Sequence, residues 1–368
     1  MDIQNKLDSF IDDLKDQLSF GNKTLLGLDI GQSAIKFSEV SFNGKEFKLE
    51  RFSSYPLPEA SIIDDEIQKE NEIVAAIQTA YKKGGFESKY VCLGISGANT
   101  IARKLQLAGG TEEEIEDQVI WEAEQYLPFA IEDCNLDFFN LGENEGGGVD
   151  VIIAAAKKEV LLNYKDLVEA SGLKVKRVDL SQIALCNIFE LAVYNKISED
   201  EVGSWIVIDL GAQKTQILIF KNGTPIFMKE IDVGGSMITE EIQRQLGVNY
   251  FEAEDLKITG DENGNLPEEI LEIIDDVVEA IFGELKKTID FYISSTSDDS
   301  FLGCSITGGS SLIPGLVEGI KALLNVDVEV LNPFDGIKYD KKFSEEEIND
   351  IAFKGCVVLG LGLGQTDK

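Results

Sequence analysis

Two segments of the chain place an aspartate just before a glycine between two apolar stretches, and both are candidates for phosphate chemistry. Asp29 precedes Gly31 near the start of the chain, and Asp209 precedes Gly211 in its second half. Glycine lets the backbone N–H groups of a turn approach a ligand closely, and converging N–H groups bind anions. A carboxylate beside a bound anion is repulsive unless a cation lies between them. Each segment therefore predicts a phosphate together with a hard divalent cation, Mg²⁺ held through waters.

The sequence around these two segments is repeated. Asn43–Gly44 follows the first segment and Asn222–Gly223 follows the second, and Asn-Gly is typical of a two-residue β-hairpin turn. The repeat predicts two homologous α/β halves, each opening with three antiparallel strands, and one nucleotide in the cleft between them. A third segment, 304–315, ends an apolar strand in a Gly-Gly turn. The alternative to a nucleotide site is a pair of ordinary hairpin turns in a duplicated domain, which would require no ligand. The chain has no P-loop sequence, so it is not expected to be a P-loop protein.

The composition limits both the chemistry and the partners. The chain has 368 residues and a formal net charge of -34, a surface that repels nucleic acid and anionic lipid. We therefore expect no nucleic-acid partner and no direct membrane insertion. The negative charge is explained more simply by an ordinary acidic protein surface than by a binding site for a basic partner. The absence of histidine removes the commonest general base and metal ligand. Carboxylates, hydroxyls, amides, lysines or a bound cation must do any chemistry.

The cysteines and the ends of the chain predict a location. No cysteine pair has Cys-x-x-Cys spacing, so we expect free buried thiols in a reducing compartment. Neither a signal peptide nor a membrane-spanning apolar run is visible, which predicts a cytoplasmic protein. Residues 1–20 predict an acidic amphipathic helix that docks on this protein or on a partner. The five cysteines are Cys92, Cys134, Cys186, Cys304 and Cys356.

Periodicity and turn residues predict the remaining elements. A compact unit is expected over residues 101–175, with a capping box at Thr111 and Glu114 that opens a helix running to Pro128. The other predicted strands lie at 25–30, 34–42, 45–54, 90–96, 101–107, 135–141 and 149–156, and the other predicted helices lie at 70–83, 159–171 and 345–363.

These residues resemble the actin-like ATPase superfamily, whose two phosphate loops and adenosine loop surround a nucleotide. The resemblance implies a duplicated actin-like (ribonuclease H-like) α/β ATPase fold, two halves around a nucleotide cleft, with an inserted small α+β subdomain. It implies ATP and Mg²⁺ as ligands, with Asp29 and Asp209 at the metal. The residues that the resemblance assigns to the nucleotide are Gly31, Gln32, Ser33, Lys36, Gly211, Ala212, Gln213, Thr215, Gly234, Gly235, Glu254, Lys257, Gly308, Gly309 and Ser310. For two of them, Glu254 and Lys257, the alternative to nucleotide binding is a surface ion pair.

Within this superfamily the chain resembles the PilM family of type IV pilus assembly, a relative of the division protein FtsA, over almost all residues after 24. The sequence EAEQYLPF, at 122–129, and the stretch from 149 to 180 carry this resemblance. With the amphipathic helix (1–20) placed before it, the resemblance implies four further ranges. These are a first actin-like subdomain (21–100, completed by 173–200 and the C-terminal helix), an inserted 1C-type subdomain (101–172), a second half (201–350, with a helical part at about 235–300) and a C-terminal helix and tail (351–368).

The PilM resemblance implies a cytoplasmic ATP-binding adaptor or switch that holds the cytoplasmic tail of a PilN-like membrane protein. It also implies recruitment to the inner membrane beside other pilus and motor components, and it leaves homo-oligomerisation open. Slow or absent ATP hydrolysis is expected, because Ser181 and Gln182 replace a Glu-Pro pair of several relatives. Asp209 and Gln182 are the catalytic candidates, and Gln182 either orients a water or only starts a helix.

Two other functions stay open at this point. An FtsA-like division protein would usually carry an amphipathic C-terminal membrane tail, and residues 364–368 do not resemble one. A small-molecule kinase or phosphatase of the same fold would need a catalytic carboxylate and a substrate pocket at the cleft.

Overall fold

The computed structural model describes residues 25–144, 146–197, 203–259 and 265–363. The predicted helix over residues 1–20 and the residues after 363 lie outside these ranges. Of the helices described, none combines the length and the apolar character that crossing a bilayer requires.

Five strands of the first half and one short strand at 337–339 form a six-stranded sheet. A four-residue loop, 43–46, contains the predicted Asn43–Gly44 turn and joins its second and third strands in chain order. Gly44 has a φ of 90°, the left-handed conformation that glycine adopts at no steric cost. Along the chain, the elements are β1 (Leu26–Ile30), β2 (Ala34–Phe42), β3 (Phe47–Pro56), β4 (Ile62–Ile63), β5 (Glu66–Ile67), α1 (Glu70–Gly84) and β6 (Tyr90–Ile95).

A small three-stranded sheet follows, and it has its own apolar core beneath one helix. The capping box predicted at Thr111 and Glu114 is confirmed. The helix ends at Ala123 and not at Pro128, because a residue before proline is disfavoured in the helical conformation and Leu127 packs into the core of this sheet. The sheet and its helix consist of β7 (Thr100–Leu107), α2 (Glu112–Ala123), β8 (Cys134–Glu143) and β9 (Val149–Lys157). The chain then returns to the six-stranded sheet through α3 (Lys158–Ala170), β10 (Lys174–Leu180) and α4 (Ser181–Ala192).

The second half repeats the arrangement of the first, as predicted. Its elements are β11 (Ser204–Leu210), β12 (Thr215–Lys221), β13 (Thr224–Ile231), α5 (Ser236–Leu246), α6 (Tyr250–Thr259), α7 (Glu268–Thr296), β14 (Phe301–Thr307), α8 (Leu316–Leu324), β15 (Val328–Val330), β16 (Ile337–Tyr339), α9 (Glu345–Lys354) and α10 (Cys356–Gly362). The predicted single helix over 345–363 is therefore wrong: α9 ends at Lys354 and α10 begins at Cys356, with Gly355 between them. A Cβ added at Gly355 would lie 2.6 Å from the carbonyl oxygen of Ile351.

The strand orders of the two large sheets explain how the two Asp-Gly segments come together. The first sheet has the order β10-β6-β1-β2-β3-β16 and the second has the order β13-β12-β11-β14-β15. In each sheet, the strand that carries the aspartate pairs antiparallel with the next strand and parallel with a later one. Both aspartates therefore stand near the carboxyl end of a central strand.

The two halves share an apolar core. Leu49 of the first sheet, Phe189 of α4, Leu218 of the second sheet and Leu359 of α10 belong to one buried cluster. Burial of such side chains contributes about 1.5–3 kcal/mol each, so this cluster holds the halves together firmly. All five cysteines are free and buried, as predicted.

Asp298 links three elements of the second half. Its Oδ2 atom accepts hydrogen bonds from Ser204 Oγ (2.6 Å), Tyr292 Oη (2.8 Å) and Lys221 Nζ (2.9 Å). Burial opposes ionisation, but these bonds outweigh it and lower the pKa of Asp298 to about 2. Because the folded pKa lies below the ordinary value of 3.8, the stabilisation is complete above that value and is lost as the pH falls towards 2.

We predict that Asp298→Asn lowers the free energy of unfolding by about 2 kcal/mol at pH 7, since it removes charge-assisted hydrogen bonds. Denaturant unfolding from pH 7 down to pH 3 measures the effect. The difference in free energy of unfolding between variant and wild type should become smaller at low pH. Asp299→Asn changes the exposed neighbouring carboxylate and is the matched control. A gap that stays constant over this pH range would contradict the assignment.

Candidate functional site

A cavity of about 630 Å³ lies between the two halves and is lined by both. Ligand sites commonly occupy such clefts and such volumes. Asp29 and Lys36 contribute from the first half, and Asp209 and Gly211 contribute from the second. The two Asp-Gly segments, far apart in the sequence, therefore face one space.

The turn after each aspartate has the same hydrogen bond in both halves. Gly31 N–H donates to the carbonyl oxygen of Ala34 at 3.1 Å, and Gly211 N–H donates to that of Lys214 at 2.9 Å. A Cβ added at Gly211 would lie 2.7 Å from the Lys214 oxygen, and one added at Gly31 would lie 3.1 Å from the Ala34 oxygen. The turn in the second half therefore requires glycine at Gly211, whereas the turn at Gly31 is tight but has slightly more room for a side chain.

The two carboxylates share one ammonium group. Lys36 Nζ lies 2.9 Å from Asp29 Oδ2, and these two residues are direct partners in the β1–β2 register. Burial lowers the pKa of Lys36, but Asp29 and then Asp209 outweigh it, so the pKa is raised and the ammonium persists. Burial raises the pKa of Asp209 to about 6; Lys36 opposes this shift, and Asp29 and Glu230 add to it. A cation at Asp209 would relieve this excess of negative charge.

Two further glycine-rich turns pack against the backbone around Gly211. Gly235 N–H and Ser310 Oγ both donate to the Gly211 carbonyl oxygen, at 3.1 and 2.8 Å. Gly308 has a φ of 93°, and a Cβ added there would lie 2.5 Å from Asp209 Oδ1. A Cβ at Gly234 would lie 2.5 Å from the Ala212 carbonyl oxygen. The turns thus fit together only because they lack side chains.

Glu254 and Lys257 line the cavity and also form the ion pair considered as their alternative role. Lys257 Nζ lies 2.7 Å from Glu254 Oε2 and donates to Thr239 Oγ1 at 2.8 Å. Thr239 Oγ1 in turn donates to Glu254 Oε2 at 2.5 Å. This small network fixes both side chains on the wall of the cavity.

Most of the residues predicted for the site line the cavity: Asp29, Gly31, Gln32, Ser33, Lys36, Asp209, Gly211, Ala212, Gly235, Glu254, Lys257, Gly308, Gly309 and Ser310. Four others are absent from its lining: Gln182, Gln213, Thr215 and Gly234. Thr215 is buried and donates to the Val233 carbonyl oxygen at 2.8 Å, and Ser181 lines the wall in place of Gln182.

Sequence reasoning missed several residues of the cavity wall, above all Asp65, Lys214, Gln216 and Glu230. Gln216 stands opposite Asp209 in the β11–β12 register, as Lys36 stands opposite Asp29, and this equivalence is visible in the repeated sequence. No sequence pattern connects Asp65 with Lys214, because they meet only through the packing of the halves.

The donor groups fit a nucleotide with a cation. The buried Oε1 atom of Gln216 has no hydrogen-bond partner within the described ranges, so it is a polar group that a bound water or ligand would satisfy. Within the same ranges, no three His, Cys, Asp or Glu residues cluster as a metal cage. A cation between Asp29 and Asp209 would therefore be held by few protein oxygens and by water, which suits Mg²⁺.

Comparison with known proteins finds similarity to one family over most of the chain. The family model described as "Type IV pilus assembly protein PilM" matches residues 27–366. A solved structure described as "PilM-PilN type IV pilus biogenesis complex" is similar to this chain with a TM-score of 0.81 and 28% identity, covering 93% of this chain and 98% of that chain.

More distant similarity extends to two other kinds of protein. The ethanolamine utilization protein EutJ from Carboxydothermus hydrogenoformans has a TM-score of 0.55 and 14% identity, covering 93% of this chain and 89% of that chain, which is a likeness of fold alone. The cell division protein FtsA of Streptococcus pneumoniae serotype 2 (strain D39 / NCTC 7466) is 25% identical over 350 residues, covering 83% of this chain and 75% of that protein.

We predict that Gly211→Ala lowers the free energy of unfolding by about 1–3 kcal/mol, because the new Cβ overpacks its turn. Gly31→Ala, the equivalent change in the first half, should cost less than about 1 kcal/mol, since its Cβ has more room. Both changes restrict the unfolded chain equally, so the difference between them reports the steric effect. Denaturant unfolding without added ligand measures it, and equal losses would contradict the explanation.

Proposed function

This chain belongs to the PilM family of type IV pilus assembly proteins, and we propose that it is a cytoplasmic adaptor that binds ATP with Mg²⁺ in its cleft and holds a PilN-like membrane protein. Its fold is the duplicated actin-like ATPase fold that the sequence predicted. A PilM-like role in pilus assembly follows from the family. We propose in addition that the chain binds the nucleotide, the metal and the partner.

One observation carries the nucleotide proposal: Asp29 and Asp209 come from different halves and face the same cavity beside two glycine turns. Phosphate groups would be held by the backbone N–H groups of the residues that follow Gly31 and Gly211 in the two turns, and the adenosine by the segment 308–310 with Glu254 and Lys257. Mg²⁺ bound near the two aspartates supplies the positive charge that keeps the phosphates beside them.

The chain's own residues favour binding over rapid hydrolysis. Hydrolysis requires a group that orients an attacking water near the terminal phosphate. Ser181 takes the place on the cavity wall where relatives carry an acidic residue, and Gln182 is absent from that wall. The role of Gln182 in orienting a water thus stays a prediction from sequence alone. We therefore propose slow or absent turnover, with the bound nucleotide setting the arrangement of the two halves.

The partner proposal rests on the family and on the inserted sheet. The solved relative with 28% identity is a complex with PilN. In the sheet of order β7-β9-β8, the edge strand β8 has no second neighbour among the described strands, and Phe139 on it is 69% exposed. An extended tail can add to such an edge and bury an apolar side chain. We propose β8 as the site for the cytoplasmic tail.

We place the protein in the cytoplasm for a chemical reason. Five free, buried thiols are expected in a reducing compartment. Recruitment to the inner membrane would then depend on the partner and not on a membrane-spanning segment of the described chain.

We predict that wild-type protein binds ATP only with Mg²⁺, and that Asp209→Asn weakens binding at least about tenfold, because the cation loses a carboxylate. Calorimetry with and without Mg²⁺ measures both effects. Asp255→Asn changes an exposed carboxylate beside the cavity residue Glu254 and should bind like wild type. No binding by a folded wild-type sample would refute the nucleotide proposal.

We predict that saturating ATP changes the affinity for the cytoplasmic tail of the PilN-like protein from the same organism by about fivefold or more, a typical coupling. Fluorescence anisotropy of the labelled tail peptide measures it. Phe139→Asp should weaken tail binding about tenfold through lost apolar contact. Phe291→Asp alters an equally exposed phenylalanine on α7 (64%) and should not. Equal effects of the two variants would exclude β8 as the site.

A further inference from the structure

An ion pair crosses from one half of the molecule to the other at the cavity wall. Lys214 Nζ, in the turn between β11 and β12, lies 2.6 Å from Asp65 Oδ2, which belongs to the β4–β5 hairpin of the first half. Both side chains are largely buried, with 14% and 13% exposed, and both line the cavity. The pair therefore stands where the halves meet around the proposed ligand.

The carboxylate of Asp65 is held in place from its own half. Its Oδ2 atom accepts a hydrogen bond from Ala98 N–H at 2.9 Å, just after strand β6. A Cβ added at Gly97 would lie 2.5 Å from this carboxylate. Asp65 is thus fixed against the segment that follows the strand paired with β1.

The hairpin that carries Asp65 has a strained backbone. Asp64 and Asp65 form its two-residue turn, and both have positive φ values, 49° and 64°. Such turns favour Asn-Gly or Asp-Gly, because glycine adopts this conformation freely. Asp65 occupies the position that usually holds glycine. Strain of this kind persists where the surroundings hold the residue in place, which is what the contact with Ala98 does.

Lys214 is held equally firmly in the second half. Its ammonium lies 3.0 Å from Glu230 and 3.6 Å from Asp232. Glu230 is buried, whereas Asp232 is 89% exposed, so Glu230 is the effective partner in that half. The ammonium therefore joins one carboxylate of each half.

This contact differs in kind from the shared apolar core. The core around Phe189 and Leu359 cannot separate without exposing large apolar surfaces to water. An ion pair at the edge of a cavity can separate when water solvates both charges, because the cost of removing the two charges from water offsets much of their attraction. The halves are thus joined by a permanent contact and by one that can open.

We propose that Asp65 and Lys214 form a latch that closes the cavity and slows the departure of a bound nucleotide. The proposal rests on the proposed function for its ligand, but the latch itself is a contact within the protein. Opening the pair would free the turn that follows Gly211, which is one of the two turns proposed to hold phosphate. The latch would therefore govern exchange and, through it, the binding state offered to the partner.

Asp65→Asn tests the latch, because the amide preserves the size of the side chain and removes its charge. Two readouts on the full chain are needed. Hydrogen exchange without nucleotide should become about tenfold faster over residues 211–216, in the half that the substitution does not touch. Release of fluorescent N-methylanthraniloyl-ATP with Mg²⁺ should also become about tenfold faster, as expected for loss of a partly buried charge pair.

Two matched controls separate the latch from general effects. Asp64→Asn makes the same change at the exposed neighbour in the same turn, and Asp232→Asn removes an exposed carboxylate beside the same ammonium. Both should behave like wild type. Comparable acceleration by either control, or wild-type exchange and release in Asp65→Asn, would overturn the latch.

A double-mutant cycle with Lys214→Met completes the test. If the two residues act as a pair, Asp65→Asn should add no further acceleration of exchange in the Lys214→Met background, and additive effects would overturn the proposal. Failure of wild type to bind the analogue would refute the proposed function instead. The exchange data without nucleotide would then decide the latch alone.

Discussion

The close packing of backbone around Gly211 is the constraint on which the rest of the site depends. The carbonyl oxygen of Gly211 accepts hydrogen bonds from Gly235 and Ser310, while its N–H group closes the turn to Lys214. Three segments that are distant in sequence thereby meet at one residue. A Cβ added at Gly211, Gly234, Gly235 or Gly308 would come within 2.7 Å of a neighbouring atom, so the site depends on backbone packed closely on backbone.

The repeat of the two halves explains why two aspartates face one cavity, and the differences between the halves explain the charge around them. Each half presents an aspartate at the carboxyl end of a central strand, and the turns that follow are alike. Opposite Asp29 stands the ammonium of Lys36, whereas opposite Asp209 stands the neutral Gln216. Asp29 and Asp209 therefore face the single ammonium of Lys36, an imbalance of charge that a bound cation would correct.

The sequence predicted the parts of the molecule that local patterns determine. The Asn222–Gly223 turn and the helix start at Thr111 depend on neighbouring residues and were found as predicted. The Asn43–Gly44 pair also lies in a hairpin connection, but that loop has four residues, 43–46. The break at Gly355 and the early end of α2 depend on what those segments pack against, so periodicity alone extended both helices too far. Asp65 was missed for the same reason, because its role arises from a residue of the other half.

The division between permanent and separable contacts gives the fold its capacity for switching. The sheets are rigid, and the apolar core that both halves share opposes their separation. Around the cavity, by contrast, the halves meet through charged groups, including Lys36 near Asp209 and Lys214 with Asp65. Charges respond strongly to any ion placed among them, whereas an apolar core does not. A charged ligand in the cavity therefore acts on the contacts that can change while the core preserves the arrangement of the sheets. Any partner that contacts both halves would sense that ligand, and its own binding would alter ligand affinity by the same factor.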